Sequence, residues 1–149
     1  MMPLEGYRVI DISRTLAGPY ATMMLADMGA EVIKVEEPIV GDESRRFTPP
    51  SWNGESCYYL SANRNKKGIT VNLKTPEGIQ IVKDLLKDAD VIIENFRTGT
   101  VEKLGLGYDV VKEINPKIVF CSISGFGRTG PYKDKAGYDV LLQGYGGLM

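Results

Sequence analysis

Cationic and aromatic residues recur just after short apolar runs in this 149-residue chain, and their spacing points to anion chemistry. Lys74 follows the run Gly68–Asn72, Asn95-Phe96-Arg97 follows Ala89–Glu94, and Lys103 lies a little beyond. Arginine grips a phosphate through two parallel hydrogen bonds, lysine acts as a point charge, and phenylalanine offers an apolar face to a base. Arg97, Lys74, Lys103 and Phe96 therefore read as a phosphate- and adenine-binding rim. Taken singly, each lysine also fits an ordinary solvated surface. Asn63-Arg-Asn-Lys-Lys67 brings more positive charge to the start of the same run. Ser13-Arg-Thr-Leu-Ala-Gly-Pro19 precedes a helical pattern, where free N–H groups favour an anion; a plain helix cap explains the same residues. Ser124-Gly-Phe-Gly-Arg-Thr-Gly-Pro131 is either a ligand-approaching backbone loop or a simple surface loop.

Other chemistries are set aside by what this stretch of sequence contains. It has no histidine, which removes Ser-His-Asp and Cys-His pairs, histidine metal ligands and imidazole bases. Neither the G-x-G-x-x-G fingerprint nor a Walker Gly-Lys-Ser/Thr occurs, so a nicotinamide or P-loop site is disfavoured. Cys57 and Cys121 are too few for a disulfide framework or a cysteine-only zinc site, and Cys121, inside an apolar run, is expected as a buried thiol. Glu36-Glu37 and Asp42-Glu43 are adjacent acids that point oppositely in extended chain, so no metal is expected. A formal net charge of −1 argues against nucleic acid or a membrane surface as partner. No run approaches the roughly 20 apolar residues that cross a bilayer. Met1–Gly6 lacks a secretory pattern, so a soluble, cytoplasmic protein is expected.

Positioning the rim falls to alternating strands and helices. Strands are expected at Tyr7–Ile12, Glu31–Glu36, Gly68–Asn72, Ala89–Glu94 and Lys117–Ile123. They are mostly continuous apolar runs, as when helices cover both sheet faces. Thr15–Met28 reads as a helix burying Ala21, Met24, Leu25 and Met28, with Pro19 in its first turn and Gly29 at its C-cap. Thr75 caps a second helix, Pro76 fits its first position, Glu77 complements its dipole, and Ile79, Val82, Leu85 and Leu86 form its buried stripe. Thr98–Lys112 holds two short helical pieces around Gly105 and Gly107. Pro38–Asn65 is irregular, with Tyr58–Leu60 as a short helix or strand inside it. Gly144–Met149 reads as a glycine-rich turn that leads into a further element. The fold expected is α/β: a doubly wound, right-handed parallel sheet with its ligand at the carboxyl ends of the strands.

These pieces also occur in one family's order. Leu16-Ala-Gly-Pro19, Gly29-Ala-Glu-Val-Ile-Lys-Val-Glu36, Gly41-Asp42, Asn65-Lys-Lys-Gly-Ile69 and Leu73-Lys-Thr-Pro-Glu-Gly78 come first. Ala89-Asp-Val-Ile-Ile-Glu-Asn-Phe-Arg97, Ser124-Gly-Phe-Gly127, Gly130-Pro131 and Gly137-Tyr-Asp139 complete the set. The chain resembles the family III CoA-transferases, a group that includes formyl-CoA, carnitine and bile-acid CoA-transferases and α-methylacyl-CoA racemase. The resemblance implies a Rossmann-like large domain, a smaller domain, and two chains interlocked as a homodimer. Residues 1–149 would be the N-terminal part of the CoA-binding large domain, incomplete here. By the same resemblance Leu73, Lys74, Asn95, Phe96, Arg97 and Lys103 hold the nucleotide and phosphates of CoA, and Leu16 and Ala17 lie beside the thioester.

In the transferases of this family an aspartate attacks the acyl-CoA thioester, giving an acyl–aspartyl anhydride and CoA thiolate. A carboxylate acceptor then exchanges with the acyl group and leaves as its CoA ester. The resemblance puts that aspartate beyond residue 149, and Asp139 is not at its position, so no catalytic residue is assigned within the chain. Racemase members have histidine where Tyr138 stands, and tyrosine, with a pKa of about 10, is a poor base at neutral pH. Glutamine of the formyl-CoA enzymes is replaced by Leu16, which speaks against oxalate or formate. The implied function is the CoA-binding portion of an acyl-CoA:carboxylate CoA-transferase. The alternatives are an inactive CoA-binding or regulatory fragment and, less favoured, a racemase-like isomerase. No permanently bound cofactor is implied; CoA or acyl-CoA enters as substrate.

Overall fold

Runs of Val and Ile become strands, and the capping signals between them become helix ends. A computed structural model describes residues 1–149. In chain order the elements are β1 (Arg8–Asp11), α1 (Ala17–Asp27), β2 (Glu31–Glu36), a 3-10 turn (Glu43–Arg46), β3 (Ser51–Trp52), β4 (Glu55–Ser56) and α2 (Cys57–Ala62). There follow β5 (Lys66–Thr70), α3 (Pro76–Leu86), β6 (Val91–Glu94), α4 (Thr100–Lys103), α5 (Tyr108–Ile114), β7 (Val119–Ser122) and α6 (Asp139–Gly146). Strands β3 and β4 form a small antiparallel ribbon, while the other five make one parallel sheet in the order β5-β2-β1-β6-β7. Winding proceeds outward from β1 to β5 and then reverses to β6 and β7. A crevice therefore opens at the carboxyl ends of β1 and β6, the place where such sheets bind ligands.

Alternation along β1 divides the core. Ile10 and Ile12 face α3, α4 and α5, packing with Val82, Leu86, Val101, Leu106 and Val111. Val9 faces the other way, with Val32, Ile93 and Ala26 of α1. The expected α/β fold with helices on both faces is what forms. Thr75 accepts the Gly78 amide hydrogen at 3.2 Å, Pro76 opens α3, and Val82 and Leu86 are buried as the spacing requires. No helix is long and apolar enough to cross a membrane.

Four expectations are corrected and one pair of alternatives is resolved. The buried face of α1 is Gly18, Pro19, Thr22, Met23 and Ala26, whereas Met24 and Met28 are exposed. The helix is apolar on most sides, and the small residues Gly18, Thr22 and Ala26 let it approach the sheet where methionines would not. Strand β5 begins at Lys66, two residues early, because its register on β2 pairs Lys66 with Val32. Within the irregular stretch the helix expected as one alternative at Tyr58–Leu60 forms, and Ser56 caps it by accepting from Tyr59 N–H. Helix α6 runs through Gly144 to Gly146 and ends at Gly147, whose φ of 76° closes it, so the glycine-rich turn is instead a helix end. Cys121 is only half-buried on β7; burial, with Glu94 adding to it, pushes its thiol above the ordinary range.

Candidate functional site

The loops at the carboxyl ends of β1 and β6 are tied together across the crevice. Asn95 accepts the Arg14 amide hydrogen through Oδ1 and donates through Nδ2 to the Arg14 carbonyl, both at 2.8 Å. Thr15 adopts φ 68°, a left-handed conformation that costs a β-branched residue energy. Its amide is held by both carboxylate oxygens of Asp42, at 3.1 and 3.2 Å. Asp42 in turn pairs with Lys34 Nζ at 2.9 Å, and Lys34 also donates to the Ser13 carbonyl at 3.1 Å. Both side chains are almost wholly buried. Such a pair is tolerable only when its remaining valences are filled, and here Ser44 donates to Asp42 from both N and Oγ. Burial works against the Asp42 charge, but Lys34 and Ser44 outweigh it and hold the carboxyl below its ordinary range.

Three more buried charges brace the same end of the sheet. Asp11 accepts from Ser13 N and Oγ, Thr22 Oγ1 and Lys66 Nζ, fastening β1 to the start of α1. Burial lowers Lys66 to a pKa of about 8 despite the Asp11 charge. Glu36 faces Arg45, which donates twice at 2.7 and 2.8 Å, as well as Tyr59 Oη and the Asp42 amide. Burial opposes its charge, yet these donors bring its pKa down to about 2. Glu94 receives the Phe96 amide hydrogen at 2.9 Å, Ser122 Oγ and Arg128. These groups face protein rather than solvent, and they set the loops at the strand ends.

Two clefts open above that frame. The first, about 180 Å³, lies over β2 and β5, and its wall includes Arg14, Glu37, Leu73, Lys74, Phe96 and Thr100. The second, about 490 Å³, lies over β6 and β7, and its wall includes Ala17, Asn95, Arg97, Gly125, Lys133, Lys135 and Tyr138. Arg14 and Phe96 border both, with the guanidinium 5.2 Å from the ring centroid. Arg14 and Arg97 have no carboxylate partner, whereas Lys74 is paired with Glu37 at 2.9 Å. Gly125 and Gly137 touch backbone to backbone, leaving no room for a Cβ on either; this contact closes the loop between them.

Of the residues assigned from the sequence, Leu73, Lys74 and Phe96 border the first cleft and Ala17, Asn95, Phe96 and Arg97 the second. Leu16, at the N-cap of α1, and Lys103, exposed on α4, border neither. Thr100 and Leu104 are the residues around α4 that turn to the first cleft. Arg14, Lys133 and Lys135 were not singled out from the sequence, and Glu37 was weighed there only as a metal ligand. Arg14 lay inside a loop read for its backbone N–H groups, so its side chain went unweighed. Most of the Ser124–Pro131 loop lies outside the clefts, since Arg128 turns inward to Glu94. Asp139 opens α6 and accepts from Gln143 at 2.7 Å.

A parallel sheet wound on both faces, with two clefts over its strand ends, is the architecture that places ligand sites at strand carboxyl ends. The chain belongs to CoA-transferase family III, whose sequence profile matches residues 4–149. It is 53% identical over 149 residues to the succinyl-CoA:glutarate CoA-transferase of Mus musculus, covering all of this chain and 34% of that protein. It is 52% identical over 153 residues to the succinate–glutarate CoA-transferase of Agrobacterium fabrum, covering 99% of this chain and 38% of that one. A crystal structure of a CaiB/BaiF family protein from Brucella suis superposes with a TM-score of 0.95 at 47% identity, covering 99% of this chain and 40% of that chain. The chain thus spans about a third of the length of the curated relatives it matches.

Proposed function

We propose that this chain is the CoA-binding, N-terminal part of the large domain of an acyl-CoA:carboxylate CoA-transferase. One observation carries the reading: two arginines without carboxylate partners, Arg14 and Arg97, flank Phe96 where the two clefts join. The nucleotide lies in the first cleft against Leu73, Lys74 and Phe96, and Arg14 and Arg97 take the diphosphate. The thioester end then reaches along the second cleft past Asn95 to Ala17. Named relatives act on succinyl-CoA and glutarate, which makes a small dicarboxylate the acceptor to try first. Chemistry passes through an aspartyl mixed anhydride whose aspartate lies beyond residue 149, in a cytoplasmic enzyme of two interlocked chains. This chain's own contribution is to bind and orient the thioester and to keep the anhydride from water.

Isothermal titration of the 149-residue chain with CoA tests the binding. Arg97→Ala is expected to weaken CoA about tenfold, the loss of one charge-assisted phosphate contact. Absence of heat with the unaltered chain, or affinity unchanged by Arg97→Ala, would contradict the reading. Sustained, acceptor-dependent CoA exchange by these 149 residues alone would overturn the placing of the nucleophile outside them.

A further inference from the structure

On the CoA reading, the nucleotide and its ribose lie in the first cleft, whose wall includes Glu37 and Lys74. An acid there accepts a free ribose hydroxyl, while a cation suits a phosphate esterified at that position. Here β2 ends at Glu36, which is fully engaged by Arg45, Tyr59 and the Asp42 amide. Glu37 is the next residue, borders the first cleft with Leu73, Lys74 and Phe96, and is about one-third exposed. Its carboxylate holds the Lys74 ammonium at 2.9 Å, so one of the cations on this wall is already paired. CoA carries a phosphate on its ribose 3′-oxygen; dephospho-CoA carries a hydroxyl there and is otherwise the same molecule.

We infer that Glu37 sets the ribose-end specificity of the first cleft, withholding Lys74 from a 3′-phosphate and repelling its charge, so that CoA and dephospho-CoA bind with similar affinity. The inference rests on the CoA reading above. At one-third exposure, a carboxylate beside a phosphate weakens binding by about three- to tenfold, most clearly at low salt.

Titration of the unaltered chain and of Glu37→Gln with CoA and with dephospho-CoA, in buffer of low ionic strength, separates the possibilities. The unaltered chain should bind the two ligands within about threefold of each other. Glu37→Gln should tighten CoA about three- to tenfold and leave dephospho-CoA within about twofold. Adding Lys74→Gln should cancel that gain, and a gain that survives it overturns the part assigned to Lys74. A preference of the unaltered chain for CoA of tenfold or more, or a CoA-to-dephospho-CoA ratio unmoved by Glu37→Gln, overturns the inference and leaves CoA binding intact. If neither ligand binds either protein, the CoA reading falls and the inference with it. Thermal melts of each variant verify that these surface changes leave the fold in place.

Discussion

Glu36 receives four hydrogen bonds, two from Arg45 and one each from Tyr59 and the Asp42 amide. Its folded pKa of about 2 lies below the ordinary 4.5, so the charged carboxylate stabilises the fold fully above pH 4.5. That stability drains away as the pH falls from 4.5 towards 2. The group is nearly buried, and the shift corresponds to about 3 kcal/mol at neutral pH. In Glu36→Gln, urea unfolding should show a loss of that order at pH 7 and a flatter dependence between pH 4.5 and 2. A variant whose acid limb matches that of the unaltered chain would count against this assignment. Little of this frame was legible beforehand. Lys34 and Glu94 sit inside apolar runs as apparent anomalies, and the partner of Glu94, Arg128, is 34 residues away. Sequence periodicity reports which face a residue takes, not which distant group meets it there. Lys74, Phe96 and Arg97 could be placed on a cleft wall from sequence because each lies two to four residues past a strand.

The loop between Gly125 and Gly137 behaves as one element, since its ends touch and Arg128 anchors it to Glu94 and Glu102. A methyl group on Gly125 would overlap the Gly137 backbone and prise the ends apart. Gly125→Ala should therefore speed tryptic cleavage at Lys133 and Lys135, while the melting temperature falls by only a few degrees. Cleavage at the same rate as in the unaltered chain would show that the contact does not hold the loop. Elements announced by local chemistry were readable: Thr75-Pro-Glu-Gly fixes α3 through capping alone. Helix α1 was readable as a helix but not for its buried side, because nearly every side of it is apolar. Helix α6 was missed because its glycines, read locally, argue for a turn.

Across the whole molecule, apolar surface is unevenly covered. Helix α6 buries none of its residues, and Val140, Leu141, Tyr145, Leu148 and Met149 lie open on it and just after it. Val119 on the edge strand β7 is 61% exposed. An open apolar surface of this kind drives association. Sedimentation velocity of the chain at tens of micromolar should show concentration-dependent self-association, and the pair Leu141→Lys and Leu148→Lys should restore a single small species. Unaltered sedimentation in the paired variant would place the contact elsewhere. Double winding could be read from continuous apolar strands, whereas the strand order, and with it the crevice, depends on pairings that no local pattern encodes.

Arg14 and Phe96 serve both clefts as one partition wall. On the proposed reading, a ligand long enough to lie on both sides makes its second contact intramolecularly, at an effective concentration that a separate molecule reaches only in the millimolar range. Cutting that ligand in two forfeits the advantage for both halves, although every individual contact is kept. On that reading, free adenine nucleotides and free pantetheine thiols compete weakly with an intact thioester.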